Sequence, residues 1–187
     1  MGLPGRHDSA TTDFESWYRK ESARLVTVLT LALAEPDLAK DSADEAFARA
    51  YERWPRVSGM DSPTGWTYKV ALNYGRRRLR RRRFEQALLL RQTRDRPTEE
   101  NAAGGRDTDL WRIVSSLPAR QRTAIVLRYV GDFSELEVAQ LMGISAGAAS
   151  SSLSVARRRL AELVHNDVRE SQTVSEDDTW MNKQETQ

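Results

Sequence analysis

The chain has 187 residues, 39% of them apolar, with 29 lysines and arginines against 27 aspartates and glutamates. That length suits one ordinary domain or two small ones. The absence of cysteine excludes disulfides, thiol catalysis, cysteine-ligated zinc and a thiol redox switch within the chain. No apolar run approaches the roughly 18 residues of a membrane-spanning helix, and the longest, Leu25 to Ala34, is broken by Thr27 and Thr30. Met1 to Thr12 has no apolar signal-peptide core. A cytoplasmic protein without stable membrane insertion is expected. His7 and His165 lie far apart, so no metal site is expected, and no cofactor motif is present.

Met1 to Asp13 reads as disordered. From Phe14 a helical pattern begins: Phe14, Trp17, Tyr18, Leu25, Val28, Leu29 and Ala32 recur every three or four residues, with one gap at Glu21-Ser22. Glu35-Pro36-Asp37 ends it, because proline disfavours helix in the residue before it. In the second helix Ala43, Ala46, Phe47, Ala50, Tyr51 and Trp54 form an apolar stripe, and Pro55 marks its end. The polar positions Asp41, Asp44, Glu45 and Arg49 form either a solvated face or a docking surface, and pattern alone prefers solvation. Val57 to Pro63 reads as a loop.

A third helix runs from Thr64 to about Arg83. Its stripe is Trp66, Val70, Ala71 and Tyr74, with Trp66 expected in the core and Tyr68 less certain. It ends in Arg76 to Arg83, seven arginines interrupted only by Leu79. So dense a cationic run cannot be neutralised within its own helix, and phosphate is the natural counter-charge. A solvated helix end or a surface for acidic protein is the alternative. The aromatics beside it, Trp66, Tyr68 and Tyr74, suit stacking on unpaired bases or simple core packing.

Phe84 to Leu90 extends that helix or begins a linker, and Gln92 to Asp107, with Pro97 and Gly104-Gly105, has no apolar period. A second helical unit follows. Leu110, Ile113, Val114 and Leu117 lie at helical spacing, Pro118 suits a helix's first turn, and Gly131-Asp132 closes the next helix after Ile125, Val126, Tyr129 and Val130. Ser134 and Glu137 have the spacing of a capping box. A short helix, a turn at Gly143, a cap at Ser145 and a longer helix with Ala149, Leu153, Ala156, Leu160 and Leu163 on one face make a helix-turn-helix. Its second helix is sized for a major groove. An ordinary helical hairpin is the bland alternative. The segment from Asn166 is acidic and polar and is expected to be disordered.

The expected fold is all-α: two small helical domains joined by a flexible linker, the second a helix-turn-helix. No nucleophile–base set or nucleotide loop is present, so no enzymatic activity is expected. The bounds are 14–83 for the first domain, 84–108 for the linker, 109–164 for the second and 165–187 for the tail.

Together these segments resemble the sigma factors of the extracytoplasmic-function group of bacterial RNA polymerase. Ala39 to Tyr51 is similar to the family's polymerase-docking helix, with Asp41, Glu45, Phe47, Arg49 and Ala50 matching and Lys40, Ser42 and Asp44 departing. Pro63, Trp66, Ala71 and Asn73 match the following helix, which in the family recognises and melts the minus-ten element. Leu117-Pro118-Ala119-Arg120-Gln121-Arg122 resembles L-P-x-R-x-R. Tyr129, Gly131, Ser134, Glu137, Val138, Ala139, Leu141, Gly143, Ile144, Ser145 and Gly147 follow the family's helix-turn-helix, which reads the minus-thirty-five element.

The resemblance implies a sigma factor whose partners are core RNA polymerase, promoter DNA and an anti-sigma factor. It implies polymerase contacts at Asp41, Asp44, Glu45, Phe47 and Arg49. DNA contacts would lie at Tyr68, Asn73, Arg76, Arg77, Arg80 and Arg81 in the first domain. In the second they would be Ser145, Gly147, Ser150, Ser151, Ser152, Ser154, Arg157 and Arg158. One departure matters: where the family reads G-T-V-K-S-R-L-x-R, this chain has Ser150, Ser152 and Val155 in the basic positions, which removes charge from the recognition helix. A free-standing helix-turn-helix regulator explains Ser134 to Leu163 but leaves the N-terminal half unassigned. A helical adaptor gripping acidic protein explains the arginine run alone.

Overall fold

The computed structural model describes the backbone of residues 6–92 and 109–184, and side chains over 13–89 and 112–165. Within those bounds every regular element is helical. The order is α1 (Arg6–Leu33), α2 (Pro36–Glu52), α3 (Trp54–Val57), α4 (Pro63–Gln92), α5 (Asp109–Ser115), α6 (Ala119–Tyr129), α7 (Glu135–Met142) and α8 (Ala146–Gln184). No described helix is long and apolar enough to cross a membrane. Most of the expected linker and parts of both termini lie outside the described side chains.

The N-terminal unit packs α1, α2 and α4 together. Ala34 turns left-handed at φ 57° to close α1, and Pro36 opens α2 at a position where its missing N–H costs nothing. Small residues let α2 approach its neighbours closely: Ala39, Ala43, Ala46 and Ala50 are buried, and the buried Ser42 hydroxyl donates to the Leu38 carbonyl at 2.6 Å. Tyr51, expected in that stripe, is 54% exposed and lies edge-on to Phe14. The gap in the α1 pattern is real but buried: Glu21 sits in the core face of α1, and its Oε2 finds no partner among the described residues.

In the C-terminal unit α6 is the central helix, with Thr123, Ala124, Ile125, Val126 and Leu127 all buried. The turn after it uses Gly131 and a left-handed Asp132. Ser134 caps α7 through the expected capping box. At the other end Gly143, left-handed at φ 66°, donates to the Gln140 carbonyl while Ile144 donates to that of Ala139. That pair of bonds is a Schellman ending. The Ser145 hydroxyl then accepts from the Ala148 N–H to open α8, whose face of Ala149, Leu153 and Ala156 is fully buried.

Three boundaries differ from those expected. Helix α4 continues through Phe84 to Gln92, into the segment read as linker; no glycine or proline stops it after Gly75, and arginine is a good helix former. Helix α8 carries helical backbone to Gln184, past the bound at 164, again with no glycine or proline after Gly147. Helix α1 begins at Arg6, inside the segment read as disordered.

The two units pack on one another, and buried residues from both form one contiguous core. Helix α6 lies against α1, and α7 against α4. This changes the core face of α4. Trp66, expected inside, is half-buried, while Tyr68 is 1% exposed, its ring edge-on to Phe133 at 4.9 Å. The α4 stripe is shifted because two faces of that helix are covered rather than one.

Candidate nucleic-acid interface

Three surfaces carry the residues singled out from sequence. On α2, spacings of three and four residues from Asp41 place Asp44, Glu45 and Arg49 along the outer face with it. Asp41, Asp44 and Arg49 are exposed, and Arg49 Nη2 holds Glu45 Oε1 at 2.6 Å. Phe47 does not join them. It is 5% exposed and points inward, with its ring 5.5 Å from Trp17 and 4.8 Å from Tyr18. It positions the α2 face without contributing surface to it. Phe14, Trp17, Tyr18, Tyr51 and Trp54 complete this aromatic cluster at the α1–α2 junction.

Along α4, Lys69, Asn73, Arg77 and Arg80 are exposed and recur every three or four residues, so they share a face. Lys69 escaped the sequence reading, although its spacing of four from Asn73 carries the signal. Arg77 and Arg80 make no ion pair among the described residues. Three others are engaged: Arg81 with Glu85 at 2.8 Å, Arg82 with Glu35 at 2.6 Å, and Arg78 5.9 Å from the Tyr74 ring centre.

Arg76 and Tyr68 differ from the expectation of a free DNA-facing surface. Arg76 Nη1 donates to the Met142 carbonyl at the end of α7, 3.2 Å away, and burial draws its pKa down. Tyr68 is enclosed between the units, and its hydroxyl has no partner among the described residues. Burial pushes that phenol up to about 12, with Arg24 pulling down and Glu21 pushing up.

On α8, Gly147, Ser150, Ser151, Ser154, Arg157 and Arg158 are exposed together with the Ser145 cap. A side chain at Gly147 would meet open space. Ser152 is on the other side: it is 9% exposed and its hydroxyl donates to the Ala148 carbonyl at 2.7 Å. Arg157 also reaches back to Glu135 on α7 at 3.5 Å, bracing the two helices of the motif. The Glu137 carboxyl is held below its usual range by hydrogen bonds from the Ser134 hydroxyl and N–H. The resulting surface is short, polar and only modestly cationic. It is convex and helical, a shape that a major groove admits.

Residues 107–160 match the family described as Sigma-70, region 4. An uncharacterised protein of Rhizobium meliloti is 33% identical over 138 residues, covering 67% of this chain, which spans only 32% of that relative's length. The RNA polymerase sigma-E factor of Streptomyces coelicolor is 29% identical over 153 residues, covering 80% of this chain and 85% of the relative. Among solved structures, the sigma factor RpoE of Bartonella quintana, crystallised with the anti-sigma factor NepR, superposes with a TM-score of 0.66 at 22% identity. The match covers 82% of this chain and 97% of that one, and it is a likeness of fold.

Proposed function

We infer that this chain, a sigma factor of the extracytoplasmic-function group, binds core RNA polymerase through the outer face of α2 and directs promoter recognition and melting through α4 and the α7–α8 helix-turn-helix. The observation that carries this reading is the division of labour on the surface. An exposed acidic and polar stripe on α2 lies apart from the cationic stripe Lys69–Asn73–Arg77–Arg80 of α4 and from the exposed face of α8. One polypeptide thus offers a protein-docking face and two nucleic-acid faces, in the chain order that the family uses. A free-standing regulator has no need of the first.

Proposed polymerase contacts are Asp41, Asp44, Glu45 and Arg49, with Phe47 supporting them from beneath. Proposed minus-ten contacts are Asn73, Arg77, Arg80 and Arg81, with Tyr68 and Arg76 available only when the units separate. Proposed minus-thirty-five contacts are Ser145, Gly147, Ser150, Ser151, Ser154, Arg157 and Arg158. The residues 14–83 and 109–164 form the two working units, and each DNA contact raises the effective concentration of the other. The chain acts without catalysis of its own, in the cytoplasm beside the polymerase. An anti-sigma partner, as bound to the Bartonella quintana protein, belongs to the same proposal.

The test is co-purification with bacterial core RNA polymerase, comparing wild type with the Glu45→Arg, Arg49→Glu double variant. The swap keeps an ion pair of opposite charges four residues apart, so helix α2 retains its local pairing while the surface charge pattern inverts. Stoichiometric binding by wild type and loss in the variant is the expected result. A folded wild type that fails to bind would leave the free regulator in its place.

A further inference from the structure

Helix α4 outruns the body it belongs to. Leu79 is its last described residue packed against the core, and every position from Arg81 to Leu89 is exposed. The exposed pair of Arg82 with Glu35 ties the start of this overhang to the fold. The overhang is not polar throughout. Phe84 is 69% exposed and Leu88 50%. Covering two such side chains is favourable in proportion to the area removed from water, and a solvated helix end has no use for them.

Helical register says what could cover them. Asn73, Arg77, Arg80, Phe84 and Leu88 follow one another at steps of four, three, four and four residues. At 3.6 residues per turn all five fall within an arc of about 80°, with Phe84 near its middle. Phe84 and Leu88 therefore continue the cationic stripe of α4 and do not open a separate surface. No acidic residue shares that face, because Glu85 lies to its side, paired with Arg81. Such a face suits a polyanion. From Arg77 to Leu88 the stripe is about 17 Å long, roughly half a turn of duplex, a distance over which a straight helix can stay in a major groove. A helix lying there meets phosphates with its arginines. Its apolar side chains have one partner among the base edges, the thymine C5-methyl.

We propose that the overhang of α4 is a further DNA contact, in which Phe84 sits on a thymine methyl in the major groove of duplex adjoining the element that α4 reads. Leu88 lies beside it, and Arg77 and Arg80 hold the flanking phosphates. The proposal rests on the sigma-factor reading for the promoter in which the contact is made. It turns the first residues after Arg83 from a tether into part of the reading helix. It also gives the chain a thymine preference outside both promoter elements.

Deoxyuridine tests this directly, because it keeps every hydrogen-bonding group of thymine and lacks only the methyl. The probes are a short fluorescein-labelled duplex of alternating adenine and thymine, and the same duplex with deoxyuridine for thymine. Both are titrated with the full chain at low salt by anisotropy. Wild type should bind the thymine duplex about fourfold more tightly, the effect of one buried methyl. Phe84→Ala should weaken binding to the thymine duplex and abolish the preference. Alanine is the best helix former and the site is exposed, so α4 stays folded. Phe84→Lys should bind both duplexes more tightly with no preference, which separates the methyl contact from charge. No preference in wild type, or an equal preference in wild type and Phe84→Ala, would overturn the proposal, the second because the difference then belongs to duplex shape. A Phe84→Ala variant that keeps the preference but no longer co-purifies with core polymerase, or that turns a dimer into a monomer in sedimentation, assigns the overhang to polymerase or to a second copy and overturns it too. The functional reading fails separately. A preference lost in Phe84→Ala, with no polymerase binding by wild type, leaves the DNA contact standing on a free regulator.

Discussion

Restoring a lysine at Ser150 tests how this recognition helix meets DNA. Ser150 is exposed on α8, one turn beyond the Ser145 cap, and its hydroxyl makes no bond within the described structure. A lysine there adds one cation to a face that Ser150 and its neighbours leave nearly uncharged. If that face lies along a phosphate strand, one further counterion is released on binding. The slope of log affinity against log salt then steepens by about 0.9. Between 50 and 200 mM salt, a fourfold change, the advantage of Ser150→Lys over wild type should shrink about 3.5-fold. Fluorescence anisotropy with a random-sequence duplex measures both slopes, because the phosphate contribution is independent of sequence. Ser152→Arg is the matched control. Its position is 9% exposed and bonded to Ala148, so an arginine there must displace packing and should give no steeper slope while destabilising the fold by about 1–3 kcal/mol. Identical slopes for Ser150→Lys and wild type, or an equal gain in both variants, would refute this orientation of α8.

Ser134→Ala should lower stability to urea by about 1 kcal/mol, because it strips the α7 cap and exposes an unsatisfied Glu137 N–H; a change within error rejects a stabilising role for the box. The same motif has a pH signature. The Glu137 carboxyl is held below its ordinary range by the Ser134 hydroxyl and N–H, so its contribution is complete above the unfolded pKa and is lost as pH falls through the folded one. The stability gap between wild type and Glu137→Gln should therefore close in acid, below about pH 4, and a gap constant from pH 7 to pH 3 contradicts it. Gly131→Ala would place a Cβ 2.7 Å from the Leu127 carbonyl and 2.8 Å from the Phe133 ring. Neither neighbour is free to swing away, so a loss of about 1–3 kcal/mol is expected by thermal unfolding.

What was legible in the sequence was local. The Ser134–Glu137 box, the Gly143 turn and the Ser145 cap each depend on residues within four positions of one another, and all three form as spaced. The Ala149–Leu153–Ala156 face likewise follows from helical period alone. What was hidden depends on how the units meet. Trp66 is only half-buried while Tyr68 is enclosed, because Phe133, 65 positions further on from Tyr68, covers the second. Phe47 and Ser152 both stand among the expected contact residues, yet the register of α2 and that of α8 place them inward. No pattern of neighbours in the chain distinguishes Arg76, bonded to Met142, from Arg77 beside it, free of ion pairs among the described residues.

That difference orders the arginine run by what each member must give up to meet phosphate. Arg77 and Arg80 give up only hydration. Arg81 and Arg82 give up exposed pairs with Glu85 and Glu35, and such surface pairs contribute at most about 1 kcal/mol, less than a charge-assisted phosphate bond returns. Arg76 gives up a part-buried bond to a helix end together with the contact between the units. On the proposed reading, phosphate therefore meets the outer arginines at the lowest cost and Arg76 at the highest. On that same reading, the charge missing from α8 and the excess on α4 then place most of the phosphate contribution on α4.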